Sequence, residues 1–597
     1  MIPIDIESGS GPRRVDLLSY LDPVEEERAQ ADAYAWIKAV RHLRVDGDSF
    51  RSRFTLRGDS LWWFAELYLH KEQAILNVLR ALAAFDVLVE RERPLEVTAR
   101  AGPYAGVVAH AARARRVRYS GPGWPGSAAW LPRMEARASA LALGARLSRL
   151  RAAPPPTGRV RIAAFVHRAF WRSGVADGSA ESYIGGVLRE LEARVTPQEM
   201  RYVGVGPRSN FRARRWWHAV KPAPDATGVV SIERYAPAAA LAPARAVFRD
   251  RHVMRRALWS SADLRAHAVI RGCDCWPLVR VQLAGIALLQ FPWSARAMDE
   301  AAAALDALQP AAAVTYAEAG GWGRALALEC RRRRIPLAAL QHGFIYRHWL
   351  NYRHEPDEVR GDPIKARDTG FPFPASTLLF DEQTAAYLTA KGSFPPDAVQ
   401  VTGNPRLEEI LTAVRGLDRA DLDRARREAG AADGRELVLF AAKEREARRS
   451  LPALVAAIRA TPEVHLAIKP HPAETPDVYA AAVAGVTNIT VLPASAALPP
   501  LLAAARAIVT VNSTVAIDAL ALGVPSVVIG LPNNLTPFVD AGVMAGAGTA
   551  DEIHAALTRV LYDQEFRSRI ERSRSAGGDG SAAARSAGAI VRLTGAT

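Results

Sequence analysis

Cysteine is scarce. Three thiols, Cys273, Cys275 and Cys330, in 597 residues cannot build a disulfide framework, and the single C-x-C of "RGCDCW" has no second pair with which to complete a zinc site. They read as ordinary reduced thiols of an intracellular protein. Long hydrophobic runs are also missing. The most apolar stretch, "LVRVQLAGIALLQFPW" (278–293), is interrupted by Arg280 and Gln282, so no window of about 18 uninterrupted apolar residues can cross a bilayer. The opening "MIPIDIESGSGPRR" has neither the apolar core of a secretory signal nor an Arg-rich amphipathic pattern, which predicts a cytoplasmic protein. No repeat of about 20–50 residues recurs, which excludes solenoids and propellers. The acidic triplet worth considering as a metal motif is "DGD", Asp46 to Asp48, and it reads more simply as a turn. No essential metal and no cofactor are predicted.

What is present is a soluble composition, 49% hydrophobic and 23% charged, with a net charge of +15. A chain of this length exceeds one ordinary core, and about 150 residues per domain suggests two to four domains. Arginine far outnumbers lysine, and the sequence pI is near 10.0. That balance permits an anionic partner, whether nucleotide, nucleic acid or acidic lipid surface. The charge is dispersed and not gathered into a stripe with interleaved aromatics, which argues against nucleic acid.

Three parts follow along the chain. Residues 1–150 read as a helix-rich N-terminal region, with an aromatic cluster at helical spacing over 60–90 and a basic amphipathic segment near 125–151. That segment fits either an interdomain helix or a device docking the protein on an anionic membrane face. A Pro-rich linker at 154–156 ends it. From about 159 onward, short apolar runs alternate with helical patterns, the signature of parallel sheets covered on both faces. Strands are predicted at 160–167, 200–206, 311–321 and 335–343. After a Pro- and Arg-rich passage, a second set is predicted at 376–380, 399–402, 437–441, 464–468, 488–492, 507–511 and 525–529. The fold class is therefore α/β: two tandem Rossmann-like domains, 159–375 and 376–597, facing a cleft. Such sheets bind ligands at the carboxyl ends of their strands.

Four polar clusters fall at such ends. In "LAIKPHPAE" two prolines stiffen the loop that carries Lys469 and His471, a cation and an imidazole suited to a phosphate or diphosphate. In "VTVNSTVAIDALALGVP" a strand ends in Asn512, Ser513 and Thr514 just before a helix, a pattern that offers hydroxyls and free N–H groups to an anion. Asp518 is placed there to steady the loop or a ribose. In "VTGNPRLEEI", Gly403 and Asn404 make a turn, Pro405 starts a helix and Arg406 adds a cation. The fourth cluster joins "AEAGGWG" (317–323) to "QHGFIYRHW" (341–349), where Gln341 and His342 end a strand before Gly343. Glu318 and His342 would supply an acid and an imidazole on adjacent strands.

In this order, "QHG", "GNP", "KPHP" and "NST..AIDALALGVP" resemble the metal-independent GT-B glycosyltransferase and polymerase superfamily that builds bacterial surface carbohydrate. The nearest likenesses are the capsule-type Kdo transferases, the polysialyltransferases and the CDP-glycerol glycerophosphotransferases. The likeness covers roughly 310–545. It implies that Lys469 and His471 hold the nucleotide phosphates, that Ser513 and Thr514 add hydrogen bonds to them, and that His342 sits near the reacting centre. The CMP-sialate enzymes use an acidic residue before a glycine as general base. The best counterpart is Asp177 before Gly178, with Glu181 nearby, so the base is Asp177, Glu181, Glu318 or His342.

The resemblance implies transfer of a sugar or polyol phosphate from a nucleotide-activated donor to a surface polysaccharide or a lipid-linked acceptor. The partners would be a nucleotide-sugar, a glycan or glycolipid, and the inner membrane face, with no nucleic acid. Two alternatives are a non-hydrolysing UDP-sugar 2-epimerase, since "VTGNP" and "ALALGVPSVV" resemble that group too, and a noncatalytic polyanion-binding scaffold.

Overall fold

The structure is a computed structural model that describes residues 2–9, 11–126, 130–150, 155, 157–171, 181–206, 228–316, 318–361, 369–431, 434–448, 450–471, 474–531, 533–572 and 580–595. Its centre is a pair of parallel sheets. The first has seven strands in the spatial order Val229–Ser231, Met200–Val205, Ile162–His167, Ala312–Tyr316, Leu337–Leu340, Ser376–Leu379 and Val399–Val401. The second has six, in the order Ile489–Val491, Val464–Pro470, Glu436–Ala442, Ala507–Thr510, Ser526–Ile529 and Ala545–Ala547. Both wind outward from their first strand in one direction and then in the other. The reversal falls between Ile162–His167 and Ala312–Tyr316 in one sheet and between Glu436–Ala442 and Ala507–Thr510 in the other, and at such a switch point the flanking loops part to leave a crevice. The central strands are buried along nearly their whole length, which is why they read as continuous apolar runs.

Two boundaries differ from those predicted. Strands Ser376–Leu379 and Val399–Val401 belong to the first sheet, where Ala338 pairs in parallel register with Ser376 and Leu379 with Val401. The Pro- and Arg-rich passage before them is a crossover connection within the first domain and not a linker between domains. The chain passes to the second domain only at Gly403 and Asn404, after which helices Pro405–Arg415 and Arg419–Glu428 pack on the core of the second sheet through Ile410, Leu411 and Ala425. It also returns. The last helix, Ala582–Leu593, buries Ala587 and Ile590 in the first domain's core, beside helix Gly185–Glu192.

The N-terminal region is helix-rich as predicted, but it also holds a four-stranded sheet, ordered Gly11–Asp16, Pro3–Ser8, Glu96–Ala99 and Arg118–Ser120. The aromatic stretch forms helices Trp62–Glu72 and Ala74–Glu92, broken at Gln73 by a left-handed φ of 54°. These helices do not close a core of their own. Trp62, Phe50 and Phe85 share one apolar cluster with Leu258, Val279 and Phe291 from helices much later in the chain. The most apolar stretch of the sequence lies inside that cluster, as helix Trp276–Gly285, a π-turn over Ile286–Gln290 and helix Phe291–Leu308. Residues 1–150 are thus an addition to the first domain.

A buried ionic network fastens this addition. Lys38 Nζ lies 2.6 Å from Glu66 Oε2 and 2.7 Å from Glu358 Oε2, Glu66 also pairs with Arg324, and Trp62 Nε1 donates to Glu358 Oε1 at 2.9 Å. All four charged side chains are within 3% of full burial. The basic segment forms helix Leu131–Leu150, which buries Ala138 and pairs Arg149 with Glu300 of the first domain, while Leu141 and Leu143 stay exposed. The "DGD" triplet is a hairpin turn, with Asp46 at a φ of 52° between strands Arg44–Val45 and Asp48–Ser49. All three cysteines are free and buried.

Candidate functional site

On the second domain, parallel register decides what meets what. Ala441 pairs with Lys469 and Ala442 with Pro470, so Lys443, the first residue beyond its strand, leaves the sheet beside Lys469 and His471. Lys469 is buried and its Nζ donates to the Ala494 carbonyl at 3.2 Å. His471 is partly buried, and its imidazole is held down to about 4, first by burial and then by the positive charge of Lys443, Lys469 and Arg406. Four basic side chains converge here. Among the described residues, Glu446 lies 3.4 Å from Lys443 and Asp518 3.6 Å from Arg406.

The neighbouring loop is more structural than its sequence suggests. Ser513 Oγ accepts from the Val515 N–H at 3.3 Å and the Ser513 N–H donates to Thr510 Oγ1 at 3.3 Å, so this serine closes its own turn. Asn512 Oδ1 accepts the Asn534 N–H at 3.1 Å. Thr514 precedes the short helix Val515–Ala521, on which Asp518 is buried, with its carboxyl pushed up by burial and pulled back by Arg406. Asn404 Oδ1 accepts the Leu407 N–H at 3.1 Å and caps the helix that carries Arg406.

On the first domain, Gln341 ties the strand ends together: its Nε2 donates to the Gly343 carbonyl and its Oε1 accepts the Phe380 N–H, both at 2.9 Å. His342 then turns into a nest of aromatics, with ring centroids 5.6 Å from Tyr183 and 5.5 Å from Tyr316. Burial lowers its pKa to about 4, and its Nδ1 is enclosed with no hydrogen-bond partner among the described residues. Glu181 stands behind these rings. Its Oε2 accepts the N–H groups of Tyr183 at 2.7 Å and Ile184 at 2.6 Å. Burial raises its pKa to about 7, against the hydrogen bonds of Ile184, Tyr183 and Tyr316, which lower it.

The expected pairing of Glu318 with His342 does not occur. The Glu318 carboxyl accepts the Tyr352 hydroxyl at 3.5 Å and lies near Arg324, with a pKa raised by burial to about 7. The turn after strand Ala312–Tyr316 carries it away from the cleft. Gly323 is needed there because a Cβ would stand 2.3 Å from the Glu318 backbone, and Gly321 because one would stand 2.7 Å from the Trp293 ring. Asp177 lies outside the described residues.

Between the domains lies a cavity of about 420 Å³. Gln341, His342 and Gly343 enter its wall from one side and Thr514, Asp518 and Phe538 from the other, with Asn404 and Arg406 at the crossing of the chain. Phe344 meets Phe538 at 5.5 Å and the Tyr346 hydroxyl donates to the Asn512 carbonyl at 3.4 Å, so the two domains touch across it. Lys469, His471, Glu181 and Glu318 stand outside this wall; Arg406 links the cationic group to it, and its guanidinium lies 5.9 Å from the Tyr183 ring. Lys443, Tyr183 and Tyr316 escaped sequence reasoning. Lys443 had a signal, as one of only seven lysines in an Arg-rich chain and the first residue after an apolar run; the tyrosines had none.

Fold and site together define a GT-B-type α/β protein with a cleft between two Rossmann-like domains. Residues 441–538, the stretch holding Lys443, Lys469, His471 and Ser513, match the sequence model of a family described as capsule polysaccharide biosynthesis protein. No curated protein matches the chain. Among solved structures, the chain is similar to UDP-GlcNAc 2-epimerase from Neisseria meningitidis bound to UDP-GlcNAc, at 13% identity and a TM-score of 0.43 over 71% of this chain and 98% of that one. It is also similar to UDP-GlcNAc 2-epimerase from Methanocaldococcus jannaschii, at 12% identity and 0.40 over 73% and 99%. A third is CalG4, the calicheamicin glycosyltransferase, at 16% identity and 0.40 over 73% and 99%. Among the described residues no helix is long and apolar enough to cross a membrane, and no group of three or more His, Cys, Asp or Glu side chains is placed to hold a metal ion.

Proposed function

We propose that the protein is a glycosyltransferase that moves a sugar, or a related polyol phosphate, from a nucleotide-activated donor to a glycan or glycolipid of the cell surface, without a metal ion. One observation carries this reading: Lys443, Lys469 and His471, all within the stretch that matches a capsule-synthesis family, converge with Arg406 at the strand ends of the second sheet. Like charges held together at a strand end repel one another, and a bound diphosphate removes that cost while gaining charge-assisted hydrogen bonds. The same cations would stabilise the nucleotide as it leaves. The first domain would present the acceptor, and contact between the domains would exclude water so that transfer outruns hydrolysis.

The test is a thermal-shift panel of CMP, CDP, UDP and GDP with EDTA present, on the wild type and on His471→Ala. At about 100 times Kd, binding adds roughly 2.7 kcal/mol of stability. Stabilisation of the wild type by one nucleotide, weakened in the variant, supports the donor site and names the donor class; no response to any of them defeats it. Incubation of the corresponding UDP-sugar without acceptor then separates a transferase from an epimerase, which alone would invert the donor.

A further inference from the structure

The ladder between strands Glu436–Ala442 and Val464–Pro470 ends at the pair Ala442 and Pro470. Lys443 is one residue past that pair on one strand and His471 one residue past it on the other, so the sheet's own hydrogen bonds stop short of both. Beyond a ladder, each loop needs bonds of its own to hold its course. One carboxylate supplies them to both loops. Glu474 Oε1 accepts the Glu444 N–H at 3.0 Å, on the residue that follows Lys443. The same carboxyl is hydrogen-bonded by the His471 backbone, and the Glu474 N–H donates to the His471 carbonyl at 2.8 Å. Its second oxygen accepts the Tyr479 hydroxyl at 3.3 Å. Tyr479 lies on helix Asp477–Val483 and is wholly buried in the core of the second sheet, so the carboxylate is tied to a fixed point as well as to the two loops. Burial raises the Glu474 pKa, and the hydrogen bonds from Glu444, Tyr479 and His471 act against it by favouring the ionised form. These bonds use the backbone of the loops and a tyrosine, and keep the Lys443 ammonium and the His471 imidazole out of the tie.

We propose that Glu474 is a positioning residue for the nucleotide donor: it straps the loop after Glu436–Ala442 to the loop after Val464–Pro470, and so holds Lys443 beside Lys469 and His471 where all three meet the phosphates together. The assignment rests on the donor-site reading above. Glu474 acts through other groups and not by touching the ligand. A lysine has a long, freely rotating stem, and one that also stands on an unrestrained loop must lose the freedom of both when it closes on an anion, which weakens binding. The strap removes the loop's share of that loss before the ligand arrives, as the supporting shell of a preorganised site does. The neighbouring acids serve other ends: the Glu444 carboxylate accepts from Arg448 at 2.6 and 2.9 Å, and Glu446 lies 3.4 Å from Lys443.

The experiment is isothermal calorimetry of CMP, CDP, UDP and GDP, with EDTA present, on the full-length wild type, Glu474→Ala, Glu474→Gln, Tyr479→Phe, Lys443→Ala and the double variant of Glu474→Ala with Lys443→Ala. Glu474→Ala should weaken the nucleotide that binds the wild type about three- to tenfold. Glu474→Gln keeps a carbonyl oxygen for the Glu444 N–H and should recover most of that loss. In the Lys443→Ala background the loss should shrink to about twofold or less, because the group being positioned has gone. A purely structural carboxylate would lower melting in both backgrounds and leave affinity alone. Affinity of Glu474→Ala within about twofold of the wild type, or a loss undiminished when Lys443 is absent, overturns the assignment while the donor site stands. Should Glu474→Ala fail to fold, Tyr479→Phe decides: loosening the anchor should weaken binding about two- to threefold, and unchanged affinity overturns the assignment. A wild type that binds none of the four nucleotides defeats the donor-site reading and this assignment with it.

Discussion

Two clusters of charge in this protein are built to opposite rules. The network that fastens the N-terminal addition has two cations, Lys38 and Arg324, and two anions, Glu66 and Glu358, all buried and all paired. The cluster at the second sheet's switch point gathers Lys443, Lys469 and Arg406 around His471, whose imidazole is held down by burial and by those charges. Ions taken out of water are tolerated when their lone pairs and protons are satisfied within the fold. The first cluster meets that condition by itself. The second instead sets cations beside one another at the carboxyl ends of strands, where an anion would be held, and this separates a fastening from a binding site more clearly than residue type does, since both are made of lysine, arginine and carboxylates.

The comparison can be broken at its fastening end with the largest effect. Glu66→Ala removes the carboxylate paired with Arg324 and one of the two paired with Lys38, leaving Arg324 buried without that counter-charge, which should cost about 3–5 kcal/mol of stability, read from urea denaturation followed by tryptophan fluorescence. Ligand affinity of the molecules that remain folded should be unchanged. A loss below about 1 kcal/mol would show that the network is not what holds the addition in place.

At the other cluster the same kind of change should act in the opposite way. Lys469→Ala or Lys443→Ala should weaken the nucleotide found by thermal shift about tenfold, roughly 1.4 kcal/mol, by isothermal calorimetry. Unliganded melting should change far less than in Glu66→Ala, where a fully buried ion pair is broken. A drop in melting with affinity retained would place the lysine among the structural charges.

The smallest effect concerns pH. In the free protein His471 is neutral above about 4, and a bound phosphate raises that pKa by offering an opposite charge. Binding then takes up a proton, so affinity should increase several-fold as pH falls from 8 to 6, and His471→Gln should flatten the dependence. A dependence of the reverse sign would mean that the imidazole does not face the phosphate.

Every strand of the two large sheets was legible in the sequence except Val229–Ser231 and Ala545–Ala547, and those two are three-residue edge strands. A buried central strand declares itself by an unbroken apolar run; of the four three-residue edge strands, Val399–Val401 and Ile489–Val491 were legible and these two were not. Pairing was less legible than existence. Ser376–Leu379 reads as a strand from its residues, but only the register with Ala338 assigns it to the first sheet. At the site, Lys469 and His471 were legible because two prolines and an apolar run mark their loop. Ser513 was legible as a hydroxyl but not as one spent on its own turn. The pairing of Glu318 with His342 failed because adjacent strand ends do not determine which way a turn aims its side chain, and here Gly323 lets the turn fold back on Glu318. Tyr183 and Tyr316 come together from segments more than a hundred residues apart, a proximity that no local spacing records.

The chain crosses between the domains twice, and the two crossings are joined. Arg585 donates to the Thr402 carbonyl and Ser586 to Thr402 Oγ1, both at 2.9 Å, and the Ala582 N–H donates to Glu408 at 2.8 Å. Two separate tethers would permit shear and twist; two bound side by side act as one pivot. Any relative motion of the domains is then a rotation about that point, and displacement grows with distance from it. The contacts of Phe344 with Phe538 and of Tyr346 with Asn512 work as a latch on a hinged door, so a few degrees at Thr402 would set how wide the mouth opens and how quickly a product escapes.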